Sequence, residues 1–313
     1  MKNTPLLSIV IPTWNRVDSL CSLVDSIGHK NDPELEIVIS DDYSDLEIFQ
    51  KLKIHFSDYS NISLFRSTVR LGMVKNWNES ISKARGEWIC FICDDDLFHP
   101  SGVSRIIQLI KKITTVSLVI QSPSITTEKE FLEPGVQAVH QLNFPLVSGN
   151  FWHRQITDRL GGFDERIKYS PDAEFWYRIA FNYPVIKIKE PFAKYISHEH
   201  NYAYTTWEKD DFLDQVGLIC KINSNYFNGK DGAVLNNTID AEEIGKDQTI
   251  LTILSTTCML KSKKQIFNKY YKIGLERSKN RGDALSFKLL ILDIFLKKII
   301  AMLRLQARSW LRN

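Results

Sequence analysis

Five short apolar runs, at residues 7–12, 35–40, 62–65, 88–93 and 116–120, alternate with four stretches whose apolar residues recur at helical spacing. Val17, Leu20, Leu23, Val24 and Ile27 mark the first stretch, and Gly28 is placed to stop it. Leu46, Phe49, Leu52 and Phe56 mark the second, Val74, Trp77, Ile81 and Ala84 the third, and Val103, Ile106, Ile107 and Ile110 the fourth. Parallel strands need a crossover long enough to return the chain, and a helix supplies it. The alternation therefore predicts an α/β protein built on a mostly parallel, doubly wound sheet flanked by helices. Beyond residue 121 the rhythm stops. Residues 122–146, with Pro123, Pro134, Gly135 and Pro145, read as a loop or irregular segment. A helix is expected over 173–180, a strand over 185–188, and mainly helical chain after Trp207, interrupted near Asn228–Gly232.

The run from Trp88 to Cys93 ends in three consecutive carboxylates, Asp94, Asp95 and Asp96, and Pro100 is expected to open the following helix. Open α/β sheets bind ligands at the carboxyl ends of their strands, where this cluster falls. Three adjacent carboxylates repel one another and resist joint desolvation. A hard divalent cation, Mg or Mn, resolves that conflict and can bridge to a substrate diphosphate. The competing explanation is an acidic loop that caps the next helix. Two polar turns share the same sheet edge: Thr13–Arg16 after the first strand, and Asp41–Asp42 after the second. A carboxylate at Asp41 suits the imide N–H of a uracil, although Asp42 and Ser44 are also good helix caps.

With 313 residues and 43% hydrophobic content, the chain can bury a large core. Among its five cysteines only Cys90 and Cys93 have CxxC spacing, and no second pair follows, so core packing in a reducing compartment is expected. Neither a secretory leader nor a bilayer-spanning run is expected from the apolar pattern. The net charge of +3 conceals an asymmetry: residues 261–313 carry +11 and the first 260 carry −8. From Ser286 onward the tail has six basic residues, one acidic residue and a terminal-turn Trp310, the pattern of a basic amphipathic helix for an anionic membrane surface. A helix packed on protein is the alternative. Nucleic acid is not an expected partner.

Six segments, in order and at sensible spacing, resemble the family 2 glycosyltransferases of GT-A fold: Ile9–Arg16, Ile37–Ser44, Gly72–Asn78, Ala84–Ile89, Asp94–Pro100 and Leu160–Glu165. The resemblance spans about residues 6 to 200. It implies a GT-A catalytic domain over 1–206, with a nucleotide-sugar half at 1–121 and an acceptor half at 122–206, followed by a helical C-terminal region at 207–313. It also implies an inverting, metal-dependent hexosyltransferase acting on a UDP-sugar. The acceptor would be a glycan or polyprenyl-diphosphate-linked chain of bacterial surface polysaccharide such as O-antigen, and the enzyme would be cytoplasmic and peripheral on the inner face of the plasma membrane. Carried over by position, Thr13 and Asp41 resemble nucleobase contacts and Asp94 a ribose- or phosphate-side residue. Pro12 and Arg16 belong to the same donor-binding turn. Asp95 matches the principal ligand of the DXD metal motif, with Asp96 and the late His198 beside it, and Asp172 matches the catalytic base.

Three departures stand out. Cys93 replaces a common Asp, which leaves Asp94 with Asp96, or Asp95 alone. Asn76-Trp77-Asn78 lacks a phosphate-binding Arg, for which Lys75 or Arg70 could substitute, and Pro171 replaces an acidic residue before Asp172. A sugar nucleotidyltransferase is a rival class, but Pro12–Arg16 contains no glycine for a phosphate loop. A non-catalytic membrane-surface nucleotide-binding protein is another. A dinucleotide oxidoreductase lacks its GxGxxG after the first strand.

Overall fold

The computed structural model describes residues 4–29, 31–142, 146–196, 206, 208–231, 246, 250, 264–280, 287, 288 and 291. In order, β1 (Leu7–Thr13), α1 (Asp18–Ile27), β2 (Leu35–Asp41), α2 (Leu46–His55), β3 (Ile62–Arg66), α3 (Met73–Lys83) and β4 (Trp88–Phe91) form the alternating first half. A short β5 (Leu97–Phe98) and α4 (Gly102–Ile110) lead to β6 (Leu118–Gln121). Then come β7 (Lys129–Leu132), α5 (Val136–Gln141), β8 (Asn150–His153), α6 (Gln155–Leu160), α7 (Pro171–Asn182), β9 (Val185–Ile188) and β10 (Ala193–Lys194).

Eight strands make one sheet in the order β3-β2-β1-β4-β8-β6-β9-β7. The strands β3, β2, β1 and β4 are mutually parallel, β6 runs parallel to β9, and β8 and β7 are antiparallel to their neighbours. The sheet is therefore mostly parallel, as the alternation requires. All seven residues of β1 and all seven of β2 are buried, because helices cover both faces. The two-residue period divides them between two cores. Ile9, Ile11, Ile37, Ile39 and Cys90 meet α1 and α4 on one face. Val10, Val38, Ile89 and Phe91 meet α3 and α7 on the other. Gly28 ends α1 in the left-handed region at φ 71°.

The expectation of irregular chain over 122–146 is corrected: β7 and α5 lie there. Lys129–Leu132 is only four residues long and half polar, and it is held as an edge strand by pairing with β9, which intrinsic propensity does not report. Six residues of α5 are too few to show a helical period. Pro123 precedes β7, and Pro134 separates it from α5. Pro100 does not open a helix either. The chain first makes β5, which pairs with β10 in a separate two-stranded sheet, and α4 begins at Gly102 after Ser101 in the left-handed region. The 88–93 strand ends at Phe91, and Asn150–His153 enters the sheet between β4 and β6.

The chain divides into two compact units, the first comprising residues to 198 with 229–232. A helix spans Phe212–Asp231, its described end falling within the expected interruption at Asn228–Gly232, and another spans Lys264–Asn280. The Lys269 ammonium donates to the Glu208 and Lys209 carbonyls and pairs with Asp210. Among the described residues no helix is long and apolar enough to cross a membrane. Most of the 286–313 tail, and with it the amphipathic reading, lies outside the described residues.

Candidate active site

The carboxyl ends of β1, β2 and β4 sit side by side, Thr13 in register with Asp41. That register brings their polar turns together. Asp94 is buried and accepts a hydrogen bond from the Thr13 hydroxyl at 2.7 Å and one from an Arg16 guanidinium nitrogen at 3.2 Å. Burial pushes its carboxyl up to about 6, reinforced by Asp95 and opposed by Arg16, the Thr13 hydroxyl and the Trp14 amide. The same Arg16 nitrogen lies 2.5 Å from Asp95, so one cation bridges both carboxylates. Thr13, Arg16, Asp94 and Asp95, separated by about eighty residues, form one hydrogen-bonded group. Pro12 is buried in β1 beneath it.

Asp96 faces a different neighbourhood. It is 2% exposed, accepts the Ile196 amide at 2.9 Å and takes a hydrogen bond from the Ser148 hydroxyl. Ligand atoms of Cys93, Asp95 and Asp96 lie within 4.8 Å of one another. Burial, together with the nearby aspartates, pushes the Cys93 thiol well up, so the sulfur stays protonated and is a poor ligand. The two carboxylates fit a hard, oxygen-preferring divalent cation, with Asp95 the more accessible partner. His198, the third expected ligand, lies outside the described residues.

Asp41 is fully buried and accepts both the amide and the hydroxyl of Ser44, with the Arg66 guanidinium 3.5 Å away. Desolvation raises its carboxyl above the ordinary range, against the pull of Ser44 and Arg66. Neither Asp42 nor Ser44 caps α2. Its N-cap is Asp45, without a side-chain cap bond, and Ser44 is engaged by Asp41 instead. Asp42 anchors the loop before α3, accepting the Leu71 amide at 2.6 Å, the Gly72 amide at 3.0 Å and Arg70 at 2.8 Å. Arg70 stacks 3.3 Å over the ring of Trp14, which is 45% exposed. Lys75 is exposed in the first turn of α3. Asn76 on the same helix accepts the Ser40 hydroxyl at 2.8 Å and donates to the Ser40 carbonyl, tying α3 to the end of β2.

Asp172 occupies the first turn of α7, behind Pro171. The residue keeps some solvent contact, yet its carboxyl is desolvated enough to be pushed up to about 6, with its own amide and that of Ala173 pulling the other way. Glu174, the neighbouring acid, is 3% exposed and holds Arg178 through both oxygens, at 2.6 and 2.9 Å. It is a buried structural pair, not a free base. Sequence reasoning missed the Trp14–Arg70 stack, Asn76 and Arg178. Trp14 and Asn76 fall within segments that resemble the family, but nothing in the sequence names their partners.

The carboxylates converge on the C-terminal edge of a mostly parallel sheet, the edge at which open α/β sheets bind their ligands. The pattern described as glycosyl transferase family 2 matches residues 8–171, more than half of the chain. The chain belongs to this family, and its fold is GT-A. A Campylobacter jejuni GalNAc(5)-diNAcBac-PP-undecaprenol beta-1,3-glucosyltransferase is 30% identical over 105 residues, covering 33% of this chain and 34% of that protein. Among solved structures, S. aureus TarS 1-349 in complex with UDP-GlcNAc aligns with a TM-score of 0.53 at 18% identity, covering 92% of this chain and 89% of that one. A mannosyltransferase from Pyrobaculum calidifontis, in complex with GDP-Man and Mn2+, aligns with a TM-score of 0.54 at 13% identity, covering 95% and 88%.

Proposed function

We propose that the protein is an inverting glycosyltransferase that moves a sugar from a UDP-sugar to a glycan or polyprenyl-diphosphate-linked acceptor of surface polysaccharide biosynthesis. The observation that carries this reading is the joining of Thr13, Arg16, Asp94 and Asp95 at one sheet edge beside the buried Asp41. Asp41 accepts from the base edge of the nucleotide, the Thr13–Arg16 turn and Asp94 hold the ribose side, and Arg70 and Lys75 lie on the phosphate side. Asp95 and Asp96 would hold Mn or Mg, joined by His198. When bound, the cation neutralises charge developing on the diphosphate leaving group. Asp172 takes the proton of the acceptor hydroxyl as that oxygen attacks the anomeric carbon. One displacement inverts the configuration. The relatives described above include a protein named for an undecaprenol-diphosphate-linked acceptor and structures with UDP-GlcNAc or GDP-Man, so both donor nucleotides belong in the test. The basic tail would bring the enzyme to an anionic membrane on the cytoplasmic side.

The deciding experiment screens UDP- and GDP-sugars for metal-dependent release of nucleoside diphosphate, with Asp95→Ala as control. Removing one charge from a repulsive cluster should leave the fold intact and abolish the metal response. Unchanged metal dependence in Asp95→Ala would move the cation elsewhere, and no release from any nucleotide-sugar would end the proposal.

A further inference from the structure

The helix α3 is fixed at two points. At its start, Asp42 and Asn76 tie it to the ends of the strands at the donor edge. Two residues after Asn76, Asn78 grips the turn Gly161–Glu165. Its side-chain oxygen accepts the Phe163 amide at 2.8 Å, and its nitrogen donates to the Phe163 carbonyl at 2.9 Å and to Glu165 at 3.3 Å. The fit admits no side chain at Gly162, where a Cβ would come 2.3 Å from the Asn78 oxygen. From the other side Arg178 of α7 holds the same turn, donating to the Leu160 carbonyl at 2.5 Å and the Gly162 carbonyl at 2.6 Å. Glu174, two residues after Asp172, fixes that guanidinium through two further bonds. Phe163 fills the space between, with ring centres 5.0 Å from Trp77 and 4.6 Å from Phe175. Hydrogen bonds and rings thus run without a gap from the donor edge through α3 and the turn to α7, which carries Asp172 in its first turn.

We propose that Asn78 and Arg178 are positioning residues, which clamp the Gly161–Glu165 turn as a spacer and set the reach of the Asp172 carboxylate from the donor edge. The inference rests on Asp172 being the base. Most of these bonds are partly buried and 3.0 Å or shorter, and each clamp is one of several ties, so loosening one shifts α7 against α3 without unfolding either. A misplacement of about 1 Å in a reacting group lowers turnover roughly a hundredfold. Donor binding depends on the start of α3 and the strand ends, which the clamps leave in place.

The test is a double-mutant cycle on the full-length protein. Asn78→Ala is expected to lower kcat about 10- to 100-fold while donor KM and UDP affinity by calorimetry change less than about threefold. In the Asp172→Asn background the same change should cost less than about threefold, because there is no base left to position. Arg178→Lys, which keeps the charge opposite Glu174 but cannot serve both carbonyls, is the second variant if Asn78→Ala fails to fold, and the same pattern is expected. An equal loss of kcat in both backgrounds, or a loss confined to KM, overturns the positioning role. Full activity in Asp172→Asn alone overturns the base assignment, and the inference with it, and is told apart because the failure appears before either clamp is altered.

Discussion

Asp172→Asn should make the protein more stable at neutral pH while removing its activity. The folded carboxyl titrates near 6, against an ordinary value of 3.8, with desolvation the dominant cause. Between those two pH values the folded state keeps a proton that the unfolded chain has already lost. Stability therefore falls as pH rises through this window, and the full penalty is present above about pH 6. The difference corresponds to about 3 kcal/mol. Because the residue retains some solvent contact, a gain of about 1–2 kcal/mol for the neutral amide is the safer expectation. A carboxylate in the first helical turn is favourable by about 0.3–1 kcal/mol, which the backbone amides already contribute here and which burial outweighs. A purely capping role predicts the opposite sign, or no change. The assay is paired thermal denaturation of wild type and variant at pH 7.5 and pH 4. The variant should melt a few degrees higher at pH 7.5, and the gap should narrow at pH 4, where the native carboxyl is already protonated. A variant that melts lower at pH 7.5, or a gap that ignores pH, would refute the desolvation argument. Turnover should drop by about two to four orders of magnitude in the same protein.

Arg16→Gln should tighten binding of Mn2+ to the protein without donor, since the guanidinium now pairs with Asp95 and competes for it. At a half-exposed pair the expected gain is about 0.5–1 kcal/mol, two- to fivefold, measured by EPR titration, and no gain would mean that the ion binds elsewhere. Transfer should fall as pH drops below about 6, because Asp94 and Asp172 both take up a proton there; a flat rate from pH 7.5 to pH 5 would exclude both from the reaction. Deleting residues 286–313 should reduce binding to vesicles containing anionic lipid, most visibly at low salt, and spare turnover on a soluble acceptor analogue. An insoluble truncated protein would show instead that the tail belongs to the folded body.

The first four strands and their helices were legible because each buried strand is an uninterrupted apolar run and each helix carries its apolar residues on one face. Val185–Ile188 was equally plain. Lys129–Leu132 was not, since its conformation is imposed by β9 and by nothing local. Asn150–His153 stands between two antiparallel neighbours that no periodicity announces. The site residues were named from strand ends and motifs, but their contacts were not. The bond from Thr13 to Asp94 depends on β1 and β4 lying adjacent in the sheet. Asp42 read as a cap and turned out to anchor the 70–72 loop, a role visible only once that loop is placed beside it. Glu174 and Arg178 have ordinary helical spacing, and only the burial of both distinguishes them from a surface pair.

The bonds made by Asp96 also bear on how the chain comes off the ribosome. One of its partners, Ser148, lies 52 residues downstream, and the other, the Ile196 amide, lies 100 residues downstream. Strand β5, immediately after the acidic triplet, likewise waits for β10. A nascent chain of about 120 residues can pair β1 to β4, close much of one core and give Asp94 and Asp95 their Thr13 and Arg16 partners, yet the Asp96 carboxylate waits for Ser148 and for the segment around residue 196. Contacts this distant in sequence form late and slowly. The segment around Asp96 and the β5–β10 pair should therefore be among the last parts of this unit to gain protection from hydrogen exchange.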